Sequence, residues 1–163
     1  KADVISLSLG GPSSQARQRA YEKAVKYAND KGAIIVVAAG NSNRSAREFT
    51  PANVPGVIAV SAVDTLLNRA SFSNFVQGMD MALAAPGVKI YSTFPGGQYQ
   101  ALNGTSMATP YVAGILGLLK SLKPDLTTKE AYRILNETGL ETNSKAETGK
   151  LIQPADAVKK VLK

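Results

Sequence analysis

Ser106 lies in the run Gly104-Thr105-Ser106-Met107-Ala108-Thr109-Pro110, at the head of the densest apolar stretch of the chain. A serine at a helix start is often only an N-cap, accepting a bond from an amide two or three residues on. Two neighbours add to that reading. Gly104 lets the backbone turn sharply into the helix, and Pro110 falls near the first turn, where a missing N–H costs little. The helix behind them carries Val112, Ala113, Ile115, Leu116, Leu118 and Leu119, is apolar almost all round, and is expected to be buried. A buried helix with Ser106 at its tip aims a hydroxyl, unpaired amides and the positive dipole end at one place. Those are the parts that stabilise an oxyanion developing during acyl transfer. The chain contains no His. A serine hydroxyl without an adjacent base is a weak nucleophile, so chemistry at Ser106 requires a base from outside these 163 residues.

Three further clusters have both a plain and a chemical reading. In Ala38-Ala39-Gly40-Asn41-Ser42, the Gly-Asn pair is a turn dipeptide. It also offers a neutral carboxamide donor at a strand end, where ligands gather in α/β sheets. In Ser8-Leu9-Gly10-Gly11-Pro12 the double glycine makes a turn, and it also lets another backbone approach closely. Asp80 and Asp64 are the two carboxylates between residues 49 and 124. A solvated loop acid is the plain reading of Asp80.

The elements that must hold these groups follow from hydropathy. Residues 2–9 form a β-rich apolar run, read as a strand buried on both faces. Residues 14–31 form an amphipathic helix with Ala16, Ala20, Ala24 (or Val25) and Ala28 on one stripe, and Gly32 fits the position just past its end. Residues 33–39 are a second buried strand. Strand, helix and strand in this span make a βαβ unit and a parallel sheet. Residues 57–63 give a third strand, 81–84 and 89–93 short strands around a Pro86-Gly87 turn, and Pro95-Gly96-Gly97 a hairpin tip returning through 98–102. Helices are expected over 106–122, from Thr127 or Thr128 to 138 with Glu130 as capping partner, and from Pro154 to 162. Residues 1–163 read as one compact α/β unit with no internal repeat or linker.

Composition narrows the function classes. The chain is 44% hydrophobic and 19% charged, as a soluble globular domain is. It has no Cys, which excludes disulfides and thiolate metal sites. The net charge of +7 comes from scattered basic residues that do not alternate with aromatics, so nucleic acid is not an expected partner. No run of 18 apolar residues supplies a membrane-spanning helix.

The segment GTSMATPYVAG, Gly104–Gly114, resembles the sequence around the catalytic serine of the subtilisin-like serine proteases, the subtilases (peptidase S8 family). The resemblance runs from about Asp3 to Leu162, essentially the whole chain. It implies a three-layer fold, a parallel sheet flanked by helices, with the N-terminal part of the fold absent. It makes Ser106 the nucleophile and its N–H one oxyanion donor, with Thr105 supporting the oxyanion in the same way. VVAAGNS matches the segment carrying the oxyanion Asn, which is Asn41 here. SLGGP, spanning Ser8, Leu9, Gly10 and Gly11, corresponds to the stretch that pairs with substrate backbone and forms one wall of the P1 pocket. Ala38, Ala39 and Gly40 form the other wall. Small lining residues imply a roomy pocket whose base lies in 43–50. A weak structural cation site, for Ca2+ or a monovalent ion, would use carbonyls of Ala52, Val54 and Val57 with Asp80. No cofactor is required for the chemistry. Tyr111 departs from the His common in the family at that position, which is not the triad base.

Family chain order is Asp, His, Ser, so the resemblance places the acid and base before this segment, and this chain alone is expected to be inactive. Expected partners are a peptide or protein substrate and the N-terminal Asp/His-bearing part of the same protease, or a second copy, covering an exposed sheet edge. A secreted or extracytoplasmic setting goes with the family. The alternatives are an inactive subtilase-like binding or scaffolding domain, or an unrelated α/β binding domain. The last lacks support, since no phosphate-binding glycine motif follows a strand.

Overall fold

The structure is a computed structural model and describes residues 2–163. The chain enters strand β1 (Val4–Leu7), passes the two-residue strand β2 (Gly11–Pro12) and forms helix α1 (Gln15–Asp30). Strand β3 (Ile34–Ala38), a 3-10 turn at Ala46–Glu48, β4 (Phe49–Thr50) and β5 (Val57–Val63) follow. Then come β6 (Ala82–Pro86), the hairpin of β7 (Ile90–Phe94) and β8 (Gln98–Leu102), and helix α2 (Thr105–Leu122). Helices α3 (Thr128–Thr138) and α4 (Lys145–Thr148), strand β9 (Lys150–Leu151) and helix α5 (Pro154–Val161) complete the order.

β1, β3, β5, β6 and β9 pair in that order, all parallel, into one five-stranded sheet. Successive side chains on a strand point to opposite faces. Ile34, Val36, Ile58 and Val60 therefore face α2, α3 and α5, whereas Ile35 and Val37 face Val25 of α1. Both faces are covered, which is why these strands read as unbroken β-branched runs. The result is a three-layer α/β fold. Val112, Leu116 and Leu119 of α2 are fully buried, and each such side chain contributes about 1.5–3 kcal/mol through removal from water. Those contacts seat α2 beneath the sheet and fix the position of its N-terminal tip.

Local signals set the helix ends. Ser14 caps α1 by accepting from the Arg17 N–H, and Gly32 follows at φ +82°. Thr127 and Glu130 form a reciprocal capping box on α3. Bonds from the Thr127 N–H and then its hydroxyl, aided by Lys123, hold the Glu130 carboxyl below its ordinary pKa.

Three expectations are corrected. β1 is the edge strand of the sheet, not a doubly buried one, and its residues are partly or fully exposed; among the described residues nothing pairs with its outer side. On α1 the expected stripe holds at Val25 and Ala28 but not at Ala16, Ala20 and Ala24, which face solvent; Gln18 and Tyr21 complete the inward side. Larger side chains bury more apolar area and so set the rotation of the helix. Finally, α2 is not buried all round, because Tyr111, Gly114, Gly117, Leu118 and Leu122 form an exposed outer face. The loop expected after α3 contains α4 and β9, whose two residues give too short a pattern to register as a strand.

Candidate active site

Ser8 follows the C-terminal end of β1, Asn41 follows that of β3, and Ser106 occupies the first turn of α2. The fold brings all three to one recess of about 200 Å3, lined by Ser8, Leu9, Gly10, Ala38, Ala39, Gly40, Asn41, Thr105 and Ser106. Phe49, Thr50 and Ala52 close its base. Such recesses at strand C-termini are where open α/β sheets take ligands.

The Ser106 hydroxyl is half-buried and reaches the Ser8 carbonyl at 3.4 Å. The Ser8 hydroxyl in turn donates to the Ser106 carbonyl at 2.8 Å. This crossed pair ties the edge strand to the tip of α2. The Ser106 N–H makes no hydrogen bond among the described residues, as expected for the first turn of a helix.

Asn41 is held by its oxygen. Its Oδ1 accepts from the Thr105 N–H and from the Thr105 hydroxyl, both at 2.9 Å. The amide side, Nδ2, is left free to donate. A single geometric fact shows where it points. A Cβ built on Gly104 would lie 3.5 Å from Asn41 Nδ2 and 3.5 Å from Ser106 N. Two unspent donors therefore lie equally close to one point at Gly104, whose φ is +156°, with Met107 Sδ 3.4 Å from the same point.

Thr105 has a different place from the one anticipated. Its N–H and its only hydroxyl proton go to Asn41 Oδ1, and its Oγ1 accepts from the Gly40 N–H at 3.2 Å. With the side chain fully buried, no proton remains for an oxyanion, so Thr105 orients Asn41. Gly11 also departs from expectation: it lies off the recess, paired with Thr50 in the β2–β4 ladder. Phe49 and Thr50, from the 43–50 stretch expected to form the pocket base, line the recess, and the pairing of β2 with β4 holds them there.

The four residues expected to hold a cation line another cavity, of about 250 Å3: Ala52, Val54, Val57 and Asp80. The Ala52 and Val54 carbonyls accept no hydrogen bond among the described residues, so oxygen donors exist. Arg47 lines the same cavity, its Nη1 2.9 Å from where a Cβ on Gly78 would stand. No ion pair joins Arg47 to Asp80 among the described residues, and with one carboxylate in the cavity any Ca2+ or monovalent ion held there would be held weakly. Among the described residues no cluster of three or more potential metal-binding side chains occurs.

The sequence profile described as the subtilase family matches residues 1–153. Subtilisin DY of Bacillus licheniformis is 44% identical over 151 residues, which cover 91% of this chain and 53% of that protein. Subtilisin Savinase of Lederbergia lenta is 42% identical over 141 residues, covering 86% of this chain and 50% of its own length. Among solved structures, a protease from Pseudoalteromonas arctica superposes with a TM-score of 0.89 at 33% identity over 98% of this chain and 51% of that one. A cold-adapted subtilisin-like serine proteinase gives 0.80 at 37% identity. The chain spans about half the length of the curated relatives it matches.

Proposed function

The chain belongs to the subtilase family, and from that premise we propose that it supplies the nucleophile, oxyanion hole and P1-pocket walls of a serine endopeptidase. The observation that carries this reading is that Asn41 Nδ2 and the Ser106 N–H, both without an acceptor among the described residues, stand 3.5 Å from one common point at Gly104, and that Asn41 and Ser106 line the same recess. Donors aimed at where charge develops are the main source of stabilisation in acyl transfer.

In this mechanism a substrate backbone lies along Ser8–Gly10 as an added strand. Its P1 side chain enters between Ser8–Gly10 and Ala38–Gly40, against Phe49. Ser106 Oγ bonds to the scissile carbonyl carbon and gives its proton to an imidazole, and the carbonyl oxygen, now negative, receives both donors. Collapse breaks the C–N bond, and the imidazole returns the proton to the leaving amine. Water then forms the second tetrahedral species and releases the acid. The imidazole and its Asp come from outside these 163 residues, which hold no His.

The part that carries them has a surface to meet. The outer edge of β1 pairs with nothing among the described residues, and an open strand edge invites a strand partner; Leu118 and Leu122 of α2 are exposed as well. Action outside the cytoplasm belongs to the same proposal. The second reading is a non-catalytic subtilase-like scaffolding domain.

Adding an Asp/His-bearing polypeptide to the chain tests the proposal. Peptide turnover in the mixture, absent from either part, supports the protease. A mixture that assembles, as shown by co-elution, yet cleaves nothing establishes the scaffold reading instead.

A further inference from the structure

Asn74 was not singled out by the sequence and does not itself line the recess. It is fully buried, and its backbone N–H and both polar atoms of its side chain are spent on the segment that carries Asn41. Its backbone N–H donates to the Gly40 carbonyl at 2.8 Å. Its Nδ2 donates to the Ala39 carbonyl at 2.9 Å, and its Oδ1 accepts from the N–H groups of Ser42 at 2.9 Å and Arg44 at 3.1 Å. One side chain thus grips the chain on both sides of Asn41. The contact is sterically matched as well. A Cβ on Gly40 would come within 2.4 Å of Asn74 Nδ2, so Gly40 has to be glycine for Asn74 to sit there.

The Asn74 segment is itself braced. Arg69 bonds the Ser73 carbonyl and pairs with Glu147 at 2.8 Å. The Ser73 hydroxyl donates to the Asn74 carbonyl and accepts from the Ala62 N–H of β5. The loop holding the carboxamide is therefore referred to the middle of the sheet through Asn74. A donor contributes to an oxyanion only if it is held in place before the charge appears. Exposed loops drift unless something fixes them, and Asn41 itself is exposed.

We infer that Asn74 is a positioning residue for the oxyanion hole, setting the place of Asn41 from the side opposite Thr105. This rests on the proposed protease reading. The test is a double-mutant cycle in the assembled enzyme with Asn74→Ala and Asn41→Ala. Asn74→Ala should lower kcat about 10–100-fold with KM nearly unchanged, and in the Asn41→Ala background the further loss should shrink to about 2-fold or less, because the two act through one donor. Equal losses in both backgrounds would overturn the inference and make Asn74 a general support. If the alanine variant does not fold, Asn74→Asp, which keeps the shape and the acceptor for Ser42 and Arg44, carries the same cycle. Amide hydrogen exchange on the same samples separates failure of the inference from failure of the protease reading. Faster exchange at Ser42 and Arg44, with β5 unchanged, supports the positioning role even if no turnover is found, and unchanged exchange there overturns it.

Discussion

The recess at Ser106 and the cavity at Asp80 are built alike, from backbone atoms at the two ends of the same sheet, yet they are finished in opposite ways. At Ser106 the unspent groups are donors, the Ser106 N–H and Asn41 Nδ2, and their neighbours are tied by Thr105 and Asn74. At Asp80 the unspent groups are acceptors, the Ala52 and Val54 carbonyls, and the carboxylate shares its cavity with the Arg47 guanidinium. The first presents unspent N–H donors, and the second presents unspent carbonyls with a carboxylate and a guanidinium in its lining. Similar concavity therefore says little about function; the sign of the unsatisfied groups, and how firmly they are held, says more.

The comparison breaks most visibly at the nucleophile. In the assembled enzyme Ser106→Ala should reduce kcat on the order of 10^6-fold, the loss seen when a triad serine is removed, read by initial rates on a peptide substrate. Activity within about 10-fold of wild type would remove the Ser106 recess from the account. Next in size, Asn41→Ala should cost about 10^2–10^3 in kcat with little change in KM, the effect of deleting one oxyanion donor. Gly104→Ala sharpens the point, since it removes no donor but places a methyl 3.5 Å from both and strains a backbone held at φ +156°. It should show a kcat loss of the same order, about 10^2-fold or more, whereas a neutral result would mean that this point is not where charge develops.

How far the sequence discloses these features depends on whether their cause is local. Ser106, Asn41 and the capping box at Thr127–Glu130 are set by short-range chemistry, and strands such as 57–63 emerge from burial on both faces. Asn74, Phe49 and Arg47 escape because their roles arise from pairings far apart in the chain, Asn74 with Ala39 and Pro12 of β2 with Phe49. Ala16, Ala20 and Ala24 of α1 mislead because alanine favours helix without specifying a face, and Tyr21 and Val25 outweigh them in apolar area. Thr105 lies in the recognised motif, but only three-dimensional bonding shows that its protons are already spent.

Smaller effects separate the two recesses from the rest of the molecule. Thr127→Ala should lower stability by about 1 kcal/mol through loss of a cap, measured by denaturant unfolding, and leave turnover unchanged. Glu130 has a depressed folded-state pKa. Its share of that cap is therefore present above the unfolded glutamate pKa of about 4.3 and lost as pH falls through the lower folded value, so the cost of the substitution should shrink in acid. The smallest effect is expected at Asp80. Added Ca2+ should leave the melting temperature of the wild type nearly unchanged and raise that of Arg47→Gln by a few degrees, about 1 kcal/mol or less. A wild-type shift as large as the variant's would show that the guanidinium does not weaken a cation's hold there.

The most direct measurement of the central claim is covalent. A fluorophosphonate probe is added to the chain, with and without its Asp/His-bearing partner, and the modified residue is located by mass spectrometry. The account requires label on Ser106 in the assembled enzyme, little on the chain alone, and slower labelling in Asn41→Ala. Label on another residue, or none in a demonstrably assembled complex, would contradict it.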